Sequence, residues 1–148
     1  SQPTDLQFRS IEGQLVSVSD FKGSVVLLFV WSNYCSTCVE KLPILQRLHE
    51  TFGDQGLVIV SVWRDAVMDG KKHDSAKERR RAEKSLQTAG VTFSTTFLSV
   101  GATEEFFGRF DLPGDPTVWL FDRQGLLVYA NVGNRALEET VRLQLTRR

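Results

Sequence analysis

The only two cysteines of the chain, Cys35 and Cys38, stand with two residues between them in VVLLFVWSNYCSTCVEKLP, residues 25–43, where an apolar run ends. Thiols at this spacing can supply half a metal site, lock a structure or exchange electrons. Locking is the weakest reading. Two cysteines in 148 residues make no disulfide scaffold, and a bond between them closes a trivially small loop. A reactive or metal-binding pair is the better reading.

Several elements must position these thiols. VVLLFVW is continuously apolar and reads as a central strand buried on both faces. After the cysteines, CVEKLPILQRLHETFG spaces Val39, Leu42, Leu45, Leu48 and Phe52 as a helix, with Gly53 as its stop and Pro43 kinking it. Ahead of the strand, LQFRS and LVSV pair across Glu12-Gly13 as a hairpin, and FKGS turns into the apolar run. LVIVSVW is a second buried strand. Ser75 to Thr88 reads as an exposed helix, with Ser75 and Glu78 as a capping box and Gly90 as the stop. VTFSTTFL is a third strand and TEEFFGRF a short helix. PTVWLF and LLVYANV form an antiparallel pair joined by DRQG, and RALEETVRLQL is a closing amphipathic helix. The order β-β-β-α-β-α-β-α-β-β-α predicts one α/β domain over residues 1–148, with no internal repeat or linker.

On this reading Cys35 lies in the turn from a buried strand into a helix, and Cys38 one turn inside that helix. Unpaired backbone N–H groups and the positive end of the helix dipole favour thiolate there. A free cysteine has a pKa of about 8.5, and such pairs range from about 3.5 to 7.5. Cys35 is therefore the expected nucleophile, and Cys38 the resolving thiol that expels product from a mixed disulfide.

FVWSNYCSTCVEKLP resembles the active-site segment of the thioredoxin superfamily: an apolar strand, an aromatic residue before the first cysteine, C-x-x-C, and a proline, here Pro43, five residues after the second cysteine. FDLPGDPTVWLFDRQGLLVYANVG is similar to the segment in which a cis proline opens the strand facing the cysteines. The resemblance makes Pro116 that cis proline. Asp115 and Thr117 flank it, and the backbone before it pairs with an extended substrate segment. Tyr34, Ser36 and Thr37 complete the implied groove, Tyr34 shielding or contacting the thiolate.

The N-terminal hairpin, the DFKG turn and the added strand and helix between residues 57 and 89 make the TlpA, ResA and CcmG branch the nearest likeness, over roughly residues 5 to 146. The resemblance implies a thioredoxin-like fold, a central mixed sheet flanked by helices, with an N-terminal β-hairpin and a βα insertion. It implies thiol–disulfide exchange with protein thiols, electron transfer from an upstream donor, commonly a membrane one in that branch, and a role such as cytochrome c biogenesis. It places the protein in the bacterial periplasm or on an anchor facing it, as a monomer, with a redox-active disulfide and no other cofactor.

Three positions depart from the pattern. Lys41 stands where that branch carries a glutamate three residues after the second cysteine, with Glu40 displaced by one; both are candidates for tuning the thiol pKa. Phe29 occupies the place of the buried aspartate six residues before the first cysteine in small thioredoxins. The intervening pair is Ser36-Thr37, whose hydroxyls could donate to a thiolate and make the disulfide more oxidising. The proton acceptor for Cys38 then falls to water, Glu40 or Asp115.

Charge and competing readings narrow the choice further. The 18 basic and 18 acidic residues balance, so nothing favours nucleic acid or an anionic membrane surface. No apolar run reaches the roughly 18 residues of a membrane span, and SQPTDLQF has neither the charged start nor the apolar core of a secretion signal. Zinc needs about four ligands, and His49 and His73, the only histidines, have no metal-motif spacing from the pair, so no metal site is expected. A thiol peroxidase would keep the hydroxyl of Ser32 but would have proline where Leu28 stands. A non-catalytic peptide-binding module is the other alternative. Trp63-Arg64-Asp65 ends a parallel strand at the edge where α/β sites gather, and the basic run KKHDSAKERRRAEK, interleaved with acids, reads as a solvated helix.

Overall fold

A computed structural model describes residues 6–109, 114–131 and 133–147. Strands β1 (Gln7–Arg9) and β2 (Leu15–Ser17) form an antiparallel hairpin pairing Phe8 with Val16. Then follow β3 (Val25–Trp31), α1 (Ser36–Phe52), β4 (Leu57–Arg64), α2 (Ser75–Thr88), β5 (Thr95–Leu98), α3 (Val100–Arg109), β6 (Thr117–Phe121), β7 (Leu127–Ala130) and α4 (Asn134–Thr146). The element order is the one the sequence predicts, with short 3-10 turns added at Val18–Phe21 and Gly53–Gln55.

The five-stranded sheet runs β5-β4-β3-β6-β7. β3, β4 and β5 are parallel, while β6 and β7 are antiparallel to their neighbours. β3 is central, and all seven of its residues are buried. Val25, Leu27, Phe29 and Trp31 face one core with Leu42, Leu45 and Phe52 of α1, Ala82 of α2, Leu120 of β6 and Val141 of α4. Val26, Leu28 and Val30 face a second core with Phe8 of the hairpin, Phe106 of α3 and Phe121. A continuous apolar strand is thus what a sheet covered on both faces requires.

Several boundaries differ from the sequence reading, each for a local reason. The N-cap of α2 is Asp74, whose carboxylate accepts the Lys77 N–H at 3.2 Å, so Ser75 is the first helical residue and Glu78 belongs to no capping box. At the end of α1, Gly53 keeps right-handed backbone and continues into the 3-10 turn; the left-handed residue is Gly56, with φ 106°. α1 runs unbroken through Pro43. Helix α3 begins before Thr103, because the Ser99 hydroxyl accepts the Ala102 N–H at 3.1 Å. β5 is shorter than VTFSTTFL because other groups take the backbone N–H donors at its start. Val91 donates to Leu86 O at 3.0 Å and Thr92 to Gln46 Oε1 at 2.9 Å. Phe110 and Val132, predicted to end α3 and β7, lie outside the described residues.

Candidate active site

β3 delivers the chain to the sheet's C-terminal edge, and Ser32, Asn33 and Tyr34 carry it from Trp31 into α1. Cys35 is the N-cap of α1: its backbone is extended, and Sγ accepts the Cys38 N–H at 3.2 Å. Cys35 and Cys38 are joined as a disulfide. Cys35 is half-buried, whereas Cys38 is fully buried within the α1 core. The two sulfurs therefore differ in access as nucleophile and resolving thiol must. Thr37 Oγ1 lies 3.4 Å from Cys35 Sγ, and Ser36 is exposed on the first turn.

Across the end of β3 stands the start of β6. The Asp115–Pro116 bond is cis, as the resemblance implies. Thr117 is fully buried and its hydroxyl donates to Gly114 O at 2.7 Å, so it holds the loop's shape. Asp115 Oδ2 accepts from Arg64 Nε at 2.6 Å. Arg64, at the end of β4, thus borders the site, as its place on the sheet edge suggests.

The segment before Cys35 is fixed from α2. Asn33 Nδ2 donates to Glu78 Oε2 at 2.9 Å and to Glu78 O at 2.7 Å, and the Tyr34 hydroxyl donates to Oε1 at 3.3 Å. Arg81 Nη1 forks onto both oxygens, at 3.0 and 3.2 Å, and its guanidinium carbon stands 5.7 Å from the Tyr34 ring centroid. Trp63 Nε1 donates to Asn33 Oδ1 at 3.1 Å. Burial pushes the Glu78 carboxyl pKa up, but Asn33, Arg81 and Tyr34 outweigh it and hold it below the usual carboxylate range. Tyr34 is thereby tied to α2. Beside Asn33 opens a cleft of about 610 Å³ between α1 and α2, with Val39, Pro43, Arg81 and Lys84 on its walls.

The two candidate tuning residues part company. Glu40 is exposed. Lys41 is half-buried, its Nζ donates to Asn134 Oδ1 at the start of α4, and burial pulls its pKa below the usual lysine value. No group of three or more histidine, cysteine or acidic side chains able to hold a metal ion occurs among the described residues.

Sequence reasoning missed Asn33, Glu78 and Arg81 as parts of this site. Glu78 carried a signal that was read locally, as a cap. Its real partners are 44 and 45 positions away.

The sequence profile of the AhpC/TSA family matches residues 2–130, a span that includes the cysteine pair and the cis proline. The chain belongs to the AhpC/TSA family. Among curated relatives, the thioredoxin-like protein YneN of Bacillus subtilis is 22% identical over 138 residues, covering 93% of this chain and 74% of YneN. The thiol-disulfide oxidoreductase ResA of Bacillus anthracis is 22% identical over 129 residues, covering 87% of this chain and 66% of ResA. The chain thus spans about two thirds to three quarters of their length. Of solved structures, the thioredoxin domain of a thiol-disulfide oxidoreductase from Bacteroides vulgatus superposes with a TM-score of 0.77 at 23% identity, covering 99% of this chain and 96% of that one. A protein assigned as thiol:disulfide interchange protein DsbE from Chlorobium tepidum gives a TM-score of 0.71 at 27% identity, covering 98% and 96%. The fold of this family member is thioredoxin-like.

Proposed function

We propose that this chain is a thiol–disulfide oxidoreductase that reduces disulfides of protein substrates in an extracytoplasmic compartment. The observation that carries the reading is the cysteine pair itself. One sulfur is half-exposed as the N-cap of α1, its partner is fully buried one turn on, and a cis proline opens the strand across from them. Family membership and relatives named ResA and DsbE support it.

In the reduced protein the Cys35 thiolate attacks one sulfur of a substrate disulfide. A mixed disulfide forms and the other substrate sulfur leaves as thiolate. The Cys38 thiolate then attacks Cys35 Sγ, closing the internal disulfide and releasing the second substrate thiolate. Two electrons pass to the substrate, and the two protons lost by Cys35 and Cys38 are balanced by those its thiols gain. Return to the dithiol requires an upstream dithiol donor, and the likeness to ResA and DsbE supports a membrane-bound one.

The test is reduction of insulin by the pre-reduced protein. Cys35→Ser is expected to abolish it, and Cys38→Ala to accumulate mixed disulfides that identify the partners. Binding of partner peptides that survives Cys35→Ser, with no insulin reduction by the wild type, would make the chain a binding module instead. Peroxide turnover faster than insulin reduction would make it a thiol peroxidase.

A further inference from the structure

β3 lies between β4 and β6, with Trp31 paired to Trp63 on one side and Val30 to Thr117 on the other. Arg64 and Asp115 therefore flank the point where β3 gives way to Ser32 and the segment leading to Cys35. Their side chains meet across it, Arg64 Nε donating to Asp115 Oδ2 at 2.6 Å. The Asp115 side chain is only 6% exposed, and its other oxygen, Oδ1, is buried with no hydrogen-bond partner among the described residues. The Arg64 side chain is 28% exposed, and its guanidinium carbon stands 5.1 Å from the Phe107 ring centroid.

The guanidinium is thus held along its Nε edge and over one face, while its two Nη groups make no hydrogen bond to the described residues. Free N–H groups on a planar fork match a carboxylate in two parallel bonds, and a fork already fixed loses little freedom on binding. The orphaned Oδ1 is the complementary feature: a buried acceptor that calls for an incoming donor, such as the backbone N–H of an extended segment.

We propose that Arg64, held by Asp115 and Phe107 beside the cis proline, is a specificity-determining residue that selects disulfides with a carboxylate side chain next to the reacting cysteine. This rests on the exchange reading above. The bonds made and broken are those already described; Arg64 binds the substrate's carboxylate and takes part in none of them.

Two peptides, each closed by one disulfide and identical except for Glu or Gln beside the attacked cysteine, test the idea. Their reduction rates by the pre-reduced protein are divided by their rates with dithiothreitol, which removes intrinsic differences in reactivity. The wild type is expected to favour the Glu peptide about tenfold at low salt, and less as salt rises. Arg64→Gln brings the ratio to about one. So does Arg64→Gln with Asp115→Asn, which leaves no unpaired carboxylate in the loop, while Arg80→Gln on the exposed face of α2 keeps the wild-type ratio. Equal corrected rates in the wild type, or a preference that survives both Arg64 variants, overturns the proposal. If dithiothreitol reduces both peptides and the wild-type protein neither, the exchange reading itself falls and takes the proposal with it.

Discussion

At Cys35 the backbone and its neighbours are arranged for negative charge on sulfur. The Cys38 N–H points at Sγ, and the Thr37 hydroxyl lies within 3.4 Å. Hydrogen bonds to a charged acceptor strengthen when the sulfur becomes a thiolate, so both groups favour the reduced form. Thr37→Val removes one donor at nearly constant volume. A contact of roughly 0.5–1.5 kcal/mol corresponds to about 10–30 mV for a two-electron couple. The potential should therefore fall by about that amount on equilibration with a glutathione buffer, and a rise would show that the hydroxyl favours the disulfide. The place of Cys35 at a helix start was legible from sequence because a strand-to-helix turn aims N–H groups at its first residue whatever the rest of the fold does. The destination of the Lys41 ammonium was not, since Asn134 lies 93 positions away.

Helix α2 docks through charged side chains as much as through apolar ones. Ala82 is in the core, but Glu78 is also buried, and Arg79 reaches Glu12 of the hairpin at 2.6 Å and stands over the Phe97 ring. Composition alone made this helix look solvated, because spacing cannot say which charges find partners on other elements. Glu78 gives the docking a pH dependence. Its folded-state pKa lies below the ordinary value of 4.5, so the folded protein binds fewer protons there than the unfolded chain. The stabilisation is complete above the unfolded value and is lost as pH falls through the folded one. Between neutral pH and about pH 3, the urea midpoint of the wild type should therefore drop further than that of Glu78→Gln. Parallel midpoint curves for the two proteins would remove Glu78 from the acid response.

Across the whole molecule, the sheet separates two cores, and the cysteine pair is attached to one of them. Cys38 packs in the same cluster as Phe29, Trp31, Leu42 and Leu120. Phe29 is fully buried, with its ring 6.2 Å from that of Trp31 between centroids. Phe29→Ala should cost about 3–5 kcal/mol by urea denaturation at neutral pH. Val39→Ala, at a site 37% exposed on α1, should cost well under half as much. Equal losses would mean that the core repacks around the missing ring. The phenylalanine thus completes an apolar layer where the acid of small thioredoxins would stand, and β3, which carries no ionisable side chain, offers Cys38 no proton acceptor.

Local patterns determined the order of strands and helices, the buried nature of β3 and the place of Cys35 at a helix start, because hydrophobic period and capping chemistry act over a few residues. The family likeness supplied the cis bond at Pro116. Only the tertiary structure decided that Glu78 serves Asn33 and Tyr34, and that Arg64 meets Asp115 over a separation of 51 positions. The reason is geometric. Such pairs exist only after β4, β3 and β6 align side by side and α2 docks on the segment before Cys35, and no periodicity within a single segment encodes which charge will stand across from which.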